Sequence, residues 1–257
     1  MHKFHFQDIE LNYRIEGAGQ PLLFLHGFLE ESGMWDELIP HFSEDAQCIT
    51  VDLPGHGLSR IGLAQLSLQE VSRALQQLLV ELKVKNPLVI GHSMGGYIAL
   101  ELAQLMTIVP VLLHSNFWAD SEDKKKDRNR VIEVVRQNAS HFIQEAIPNL
   151  FADHNRESCA APIKELIHKA KNIPSREIQL MTAAMRDRRP NYKLENATSI
   201  EIIHGENDPI IPTEKLLAEL PLLQVEHSLH VIPEVGHMSI WENPAALIKL
   251  LKSVISK

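Results

Sequence analysis

The 257 residues carry 25 Lys and Arg against 33 Asp and Glu, a formal charge of −8, with 44% hydrophobic and 23% charged side chains and 14 histidines outside that balance. This is enough apolar material for a sizeable core in one large α/β domain or two small ones and argues against disorder, while the negative balance argues against a nucleic-acid or anionic-membrane surface, which needs a local excess of cations. No apolar run approaches the ~18 residues of a membrane helix, no apolar signal segment opens the chain, and the two cysteines, Cys48 and Cys159, fit a reducing cytoplasm.

In chain order, Phe4-His5-Phe6 and Leu11 to Ile15 predict an opening hairpin. Pro21 to Leu25, Cys48 to Val51 and Pro87 to Ile90 are short apolar runs of the kind that forms buried parallel strands. Each ends in a polar turn: His26-Gly27, Asp52 and Gly91-His92-Ser93. Ser67 with Glu70 three residues on forms a capping box, and Leu68, Val71, Leu75, Leu78, Leu79 and Leu82 then follow at helical spacing. Residues 94 to 105 continue as a helix in which Gly95, Gly96, Ala99 and Ala103 keep one face small for close packing.

After a strand at Val109 to His114 the pattern changes. From Asn116 to Pro190 it is helical, interrupted by Pro148, Pro162 and Pro174, and reads as an insertion of about 75 residues. The charged run from Asp120 to Arg128 reads as a solvated helix face, and Arg186, Arg188 and Arg189 as a solvated cluster, although they also hint at an acidic substrate group. Strand patterns return at Ser199 to Ile203 and Leu229 to Ile232, with a short helix from Thr213 to Leu220 between them. The closing helix has Asn243 as N-cap and Pro244 at its first position. The expected architecture is an α/β fold with a mostly parallel eight-stranded sheet, its core made of 1–115 and 191–257 and its helical cap of 116–190.

No metal is expected, because His227 and His230 are the one close histidine pair and no paired Cys-x-x-Cys occurs. The chemistry instead gathers at Gly91-His92-Ser93-Met94-Gly95, a Gly-x-Ser-x-Gly sequence between a buried strand and a helix. A serine on so sharp a turn sits in a strained conformation above the sheet edge, facing a helix N-terminus. Its hydroxyl becomes a nucleophile only when a base takes its proton, which requires a histidine and an orienting carboxylate. The chain order expected with this elbow is serine, acid, histidine, which selects Asp208 after one strand and His237 after the last. Glu206 is the rival acid, and His26, His56, His92, His114 and His204 read as structural. Phe28 and Met94 are the expected oxyanion donors, through their backbone N–H groups.

His26-Gly27-Phe28 with Trp35, Asp52-Leu53-Pro54-Gly55-His56-Gly57-Leu58-Ser59, Gly91 to Gly96, Gly205 to Pro209 and Gly236-His237 together resemble the α/β-hydrolase superfamily, of its small cap-bearing esterase and lactonase type. The likeness covers nearly the whole chain and implies a cofactor-free serine hydrolase acting on a small-molecule ester or lactone. It also implies a structural role for the Asp52 segment, and Trp35 and Trp241 become site-lining candidates, although core packing is the simpler reading of each. Haloalkane dehalogenases and epoxide hydrolases of this type place Asp where Ser93 stands, so those reactions are disfavoured. Enol-lactonases and the lyase of menaquinone synthesis are also similar, the lyase less so because its elbow more typically reads Gly-Tyr-Ser-Leu-Gly. The alternatives are therefore a lyase or C–C bond hydrolase using the same residues, a serine perhydrolase, and a non-catalytic ligand-binding member. Activity is expected to fall on acidification, as the base becomes imidazolium.

Overall fold

The structure, a computed structural model, describes residues 1–256. Strands β1 (His2–Phe6) and β2 (Ile9–Glu16) form the opening antiparallel hairpin, and β3 (Gln20–Leu25) and β4 (Ala46–Asp52) follow. Then come β5 (Arg60–Ile61), α1 (Leu68–Glu81), β6 (Leu88–His92), α2 (Met94–Leu102) and β7 (Val109–Leu113). Three helices separate β7 from the next strand: α3 (Glu122–Ala146), α4 (Ala160–Ala170) and α5 (Ser175–Arg186). The chain closes with β8 (Ser199–Gly205), α6 (Thr213–Glu219), β9 (Glu226–Ile232), α7 (Ser239–Glu242) and α8 (Pro244–Ile255). No helix among the described residues is long and apolar enough to cross a membrane.

The sheet runs β1-β2-β4-β3-β6-β7-β8-β9, parallel from β4 onward and antiparallel in the opening hairpin and where β2 meets β4. It has nine strands where eight were expected; the ninth is two-residue β5, too short to leave a periodic signal, which pairs with β2. Alternation divides the central strands between two cores. Leu23 and Leu25 pack with α1 and α2 on one face, and Leu22 and Phe24 pack with Trp35 and α8 on the other. All four are fully buried, at roughly 1.5–3 kcal/mol each relative to exposure.

The expected caps form: Ser67 and Glu70 close the box that starts α1, and the Asn243 side chain accepts the Ala246 N–H at the start of α8. Between β7 and β8 the structure departs from the sequence reading in two respects. Pro162 does not interrupt a helix but lies in the first turn of α4, where its missing N–H has no intrahelical partner to lose. Helix α3 is one element broken at Asn138, whose extended backbone (φ −156°, ψ 81°) restarts the helix and whose side chain accepts the His141 N–H at 3.0 Å.

The strand order reverses at β3, which lies between β4 and β6. A crevice opens beyond the carboxyl ends of β3 and β6 at such a reversal, and this is the usual place for a ligand in an open α/β sheet. His26-Gly27-Phe28 leaves β3 there, and Ser93 leaves β6 there.

Candidate active site

Ser93 links β6 directly to α2 with φ 49° and ψ −111°, a conformation that L residues avoid. The turn is that tight because its neighbours lack side chains: a Cβ on Gly95 would come within 2.3 Å of the Leu25 carbonyl, and one on Gly96 within 2.3 Å of Ser115 Oγ. Small residues let α2 sit against β3 and β7, and the hydroxyl-bearing residue opens onto a cavity of about 440 Å³. Phe28, Ser93 and His237 line its floor. Among the described residues, no acceptor is paired with the N–H of Phe28 or Met94.

His237 is brought to this floor by the loop after β9, and its Nδ1 lies 2.7 Å from Asp208 Oδ2. Its Nε2 is buried with no hydrogen-bond partner. Asp208 is fixed from the other side, because Oδ1 accepts the N–H groups of Ile210 (2.8 Å) and Ile211 (2.9 Å). Burial opposes ionisation of Asp208, but the neighbouring His237 and His114 rings hold its carboxyl well below the ordinary carboxylate range. His114 lies 3.5 Å from the same Oδ2, and burial outweighs that carboxylate to push its imidazole down to about 3, leaving it neutral. His114, Asp208 and His237 place three metal-type donor atoms within 4.8 Å of one another, a grouping that the Asp208–His237 hydrogen bond itself accounts for. The rival acid Glu206 instead accepts the Glu234 N–H at 3.0 Å.

Of the histidines read as structural, His26 and His56 bond to backbone; Asp52 and Ser59 tie their own segment together, and Asp52 also accepts the Ser32 N–H. His92 differs, because it joins two parts of the site. Its Nδ1 lies 2.9 Å from Glu30 and its Nε2 2.9 Å from the carbonyl of His237. Both neighbours are acceptors, so both ring nitrogens donate and the ring is cationic. Burial works against that charge, but Glu30 outweighs it and raises the proton affinity of His92; burial likewise opposes the Glu30 charge, which His92 more than offsets. Glu30 also accepts the Gly27 N–H at 2.5 Å, so one buried ion pair joins the Phe28 loop to the His237 loop.

A second carboxylate fastens the His237 loop to the helical segment. Glu242 accepts the N–H groups of Gly236 (2.9 Å), Met238 (3.0 Å) and Ala152 (3.1 Å), together with the Asn155 amide (2.8 Å). The His237 N–H itself reaches the Leu150 carbonyl at 2.9 Å.

Three expectations need correction. Neither Trp35 nor Trp241 lines the cavity: Trp35 is fully buried against Phe24, and Trp241 packs beside Phe151 and borders a separate groove. The aromatic residues that do line it are Phe28, Tyr97, Trp118 and Phe142. The run from Asp120 is not wholly a solvated face, since Asp120, Lys124 and Arg128 line the cavity. Arg188 is not part of a solvated cluster: it is buried, bonds Asp120 at 2.7 Å and lies 4.1 Å above the Tyr97 ring, while Arg189 pairs with Glu101 and Arg186 with Asp187. The three arginines in Arg186-Asp187-Arg188-Arg189 look alike in sequence; only Arg188 is buried.

The alpha/beta hydrolase family model matches residues 22–250, the stretch that carries every element of this site. The chain belongs to the alpha/beta hydrolase family. Among curated relatives of this alpha/beta hydrolase is a 2-succinyl-6-hydroxy-2,4-cyclohexadiene-1-carboxylate synthase from Escherichia coli, 29% identical over 91% of this chain and 93% of that protein. Among solved structures, a thermophilic esterase from Thermogutta terrifontis with malate bound superposes with a TM-score of 0.86 at 25% identity, covering 96% of this chain and 93% of that one. An enol-lactonase from Burkholderia xenovorans reaches a TM-score of 0.87 over 100% of both chains, and at 15% identity it shows the shared fold alone.

Proposed function

We propose that this alpha/beta hydrolase cleaves a small-molecule carboxylic ester or lactone through an acyl-enzyme formed on Ser93. The observation that carries the reading is the state of His237: Nδ1 is held by an anionic Asp208, and Nε2 is unpartnered beside the cavity that Ser93 enters. In this reading Nε2 takes the Ser93 proton as Oγ attacks the carbonyl carbon, and Asp208 fixes the tautomer and stabilises the imidazolium. The N–H groups of Phe28 and Met94 receive the negative oxygen, His237 returns the proton to the departing alkoxide, and water then releases the acid by the same steps. The helices between β7 and β8 act as the cap, since Lys124, Arg128, Val131 and Phe142 of α3 line the same cavity. The two free thiols suit a cytoplasmic setting.

Ser93→Ala should fold normally and hydrolyse p-nitrophenyl butyrate at least 10³-fold more slowly, and a fluorophosphonate probe should label the wild type alone. Hydrolysis by Ser93→Ala at wild-type speed would overturn the assignment. The second reading, a lyase that uses His237 to remove a substrate proton, is favoured by the relatedness to the cyclohexadiene-carboxylate synthase. Negligible turnover across a panel of p-nitrophenyl esters, with Ser93 still labelled, would favour it.

A further inference from the structure

The cavity charge is out of proportion to the rest of the molecule. The chain has a formal charge of −8, yet the cavity is lined by four cations, Lys124, Arg128, Arg188 and Lys215, against two carboxylates, Glu30 and Asp120. Glu30 is already neutralised by His92. Asp120 is held by two of the cations at once, Arg128 at 3.1 Å and Arg188 at 2.7 Å. The lining is therefore short of negative charge; Lys124 and Lys215 are exposed at its mouth and Arg128 is half-buried, while Arg188 is buried, where water screens it poorly. Burial lowers the proton affinity of Lys124, Arg128 and Arg188 lower it further, and Asp120 and Asp127 only partly offset them.

Arg188 shows where the missing charge would sit. Its hydrogen bonds leave from Nη1 alone, to Asp120 and to the Met185 carbonyl, and its buried Nε has no partner. The Tyr97 ring covers one face of the guanidinium at 4.1 Å. A side chain only 4% exposed with an uncommitted donor on its Nε edge is costly to bury, unless that edge serves a ligand. Tyr97 stands one turn along α2 from Ser93, about 6 Å of helix rise. Arg188 and Ser93 line the same cavity, so a substrate whose carbonyl is at Ser93 can extend towards Arg188.

We infer that the cap side of this cavity is a carboxylate subsite, with Arg188 as its principal donor and Lys124, Arg128 and Lys215 supplying the surrounding positive field. The preferred substrate is then an ester or lactone bearing a second, ionised carboxyl group on a short acyl chain. A guanidinium edge matches a planar carboxylate through two parallel N–H bonds, which a neutral chain end of the same length cannot accept. The inference rests on the ester-hydrolysis reading for its substrate, but not for the anion site itself.

The test compares p-nitrophenyl hemisuccinate, hemiglutarate and hemiadipate with neutral p-nitrophenyl esters of equal chain length, and measures glutarate binding to Ser93→Ala by calorimetry. Wild type should favour at least one anionic ester by roughly tenfold to a hundredfold in kcat/KM, the worth of a charged hydrogen-bonded contact, and glutarate should bind Ser93→Ala. That preference should fall towards one in Arg188→Met, and Lys124→Gln should lower it in the same direction and carries the test if Arg188→Met does not fold. Equal or poorer turnover of every anionic ester, with neutral esters hydrolysed through Ser93, overturns the carboxylate subsite and leaves the hydrolase intact. Glutarate binding that Arg188→Met or Lys124→Gln weakens, in a protein that turns over no ester, supports the subsite and rejects ester hydrolysis.

Discussion

Replacing Glu30 by alanine removes a carboxylate that serves two buried partners, the Gly27 N–H at 2.5 Å and His92 Nδ1 at 2.9 Å. The Glu30 and His92 side chains are 3% and 2% exposed, so neither orphaned group can turn to water. Losing one member of a buried ion pair costs about 3–5 kcal/mol, and the loss of a charged hydrogen bond with an unpaired N–H left behind falls in the same range. For a chain of this size that lowers Tm by roughly 6–20 °C. The penalty should depend on pH in both directions. Folding raises the proton affinity of His92, so its contribution is whole below the unfolded histidine value of about 6.5 and fades as pH rises through the higher folded value. Folding lowers that of Glu30, so its share is whole above the unfolded value of about 4.3 and fades as pH falls through the lower folded one. Glu30→Ala should therefore cost most between about pH 4.5 and 6.5 and progressively less towards pH 9. Glu30→Gln should be milder and lack that dependence, because an amide can accept from Gly27 and donate to a neutral His92. Urea unfolding of the three proteins from pH 5 to 9 measures this. A Glu30→Ala penalty below about 1 kcal/mol, as for an exposed pair, or one flat with pH, would refute the buried ion pair.

Three further outcomes are expected. Asp208→Asn should keep the fold but lower kcat for p-nitrophenyl esters by about 10⁴-fold, since an amide no longer enforces the tautomer; a loss under tenfold would remove Asp208 from its proposed role. Gly96→Ala should destabilise by about 1–3 kcal/mol in urea, because its Cβ would meet Ser115 Oγ at 2.3 Å; an unchanged midpoint would show that the elbow has room to spare. Burial pushes the Cys48 thiol up to about 11, so iodoacetamide at pH 8 should leave it unmodified in the folded protein and label it after denaturation, as read by mass spectrometry.

The strands and the caps were legible because each is written in neighbouring residues, and the turns that carry the proposed Ser93, Asp208 and His237 were legible as polar segments that follow apolar runs. The two-residue β5 lacked the length to show a period. The cavity wall was hidden for a different reason. Trp118 with Lys124, Arg188 and Lys215 belong to three separate stretches that meet only once α3, α5 and α6 are packed. The three arginines carry the same local signature and each finds a distant partner, Asn129, Asp120 and Glu101 in turn; what separates Arg188 is that it is buried together with its partner, Asp120. Glu30 and His92 lie 62 positions apart and so were equally invisible as a pair. For Trp35 the motif made it a site-lining candidate, but the simpler reading, core packing, is the one the structure shows: its large apolar ring goes where most buried area is available, against Phe24.

The Glu242 clamp bears on how interchangeable the roof of such an enzyme is. Helix α3 can trade cavity-facing side chains without touching the His237 loop, but Leu150, Ala152 and Asn155 hold that loop in register through hydrogen bonds. A graft of another protein's helical segment would therefore have to stop short of Leu150, or bring along its own counterpart of the Glu242 clamp. On the proposed reading, substrate range is modular up to that seam, and beyond it a change of the proposed cap is also a change at the proposed base.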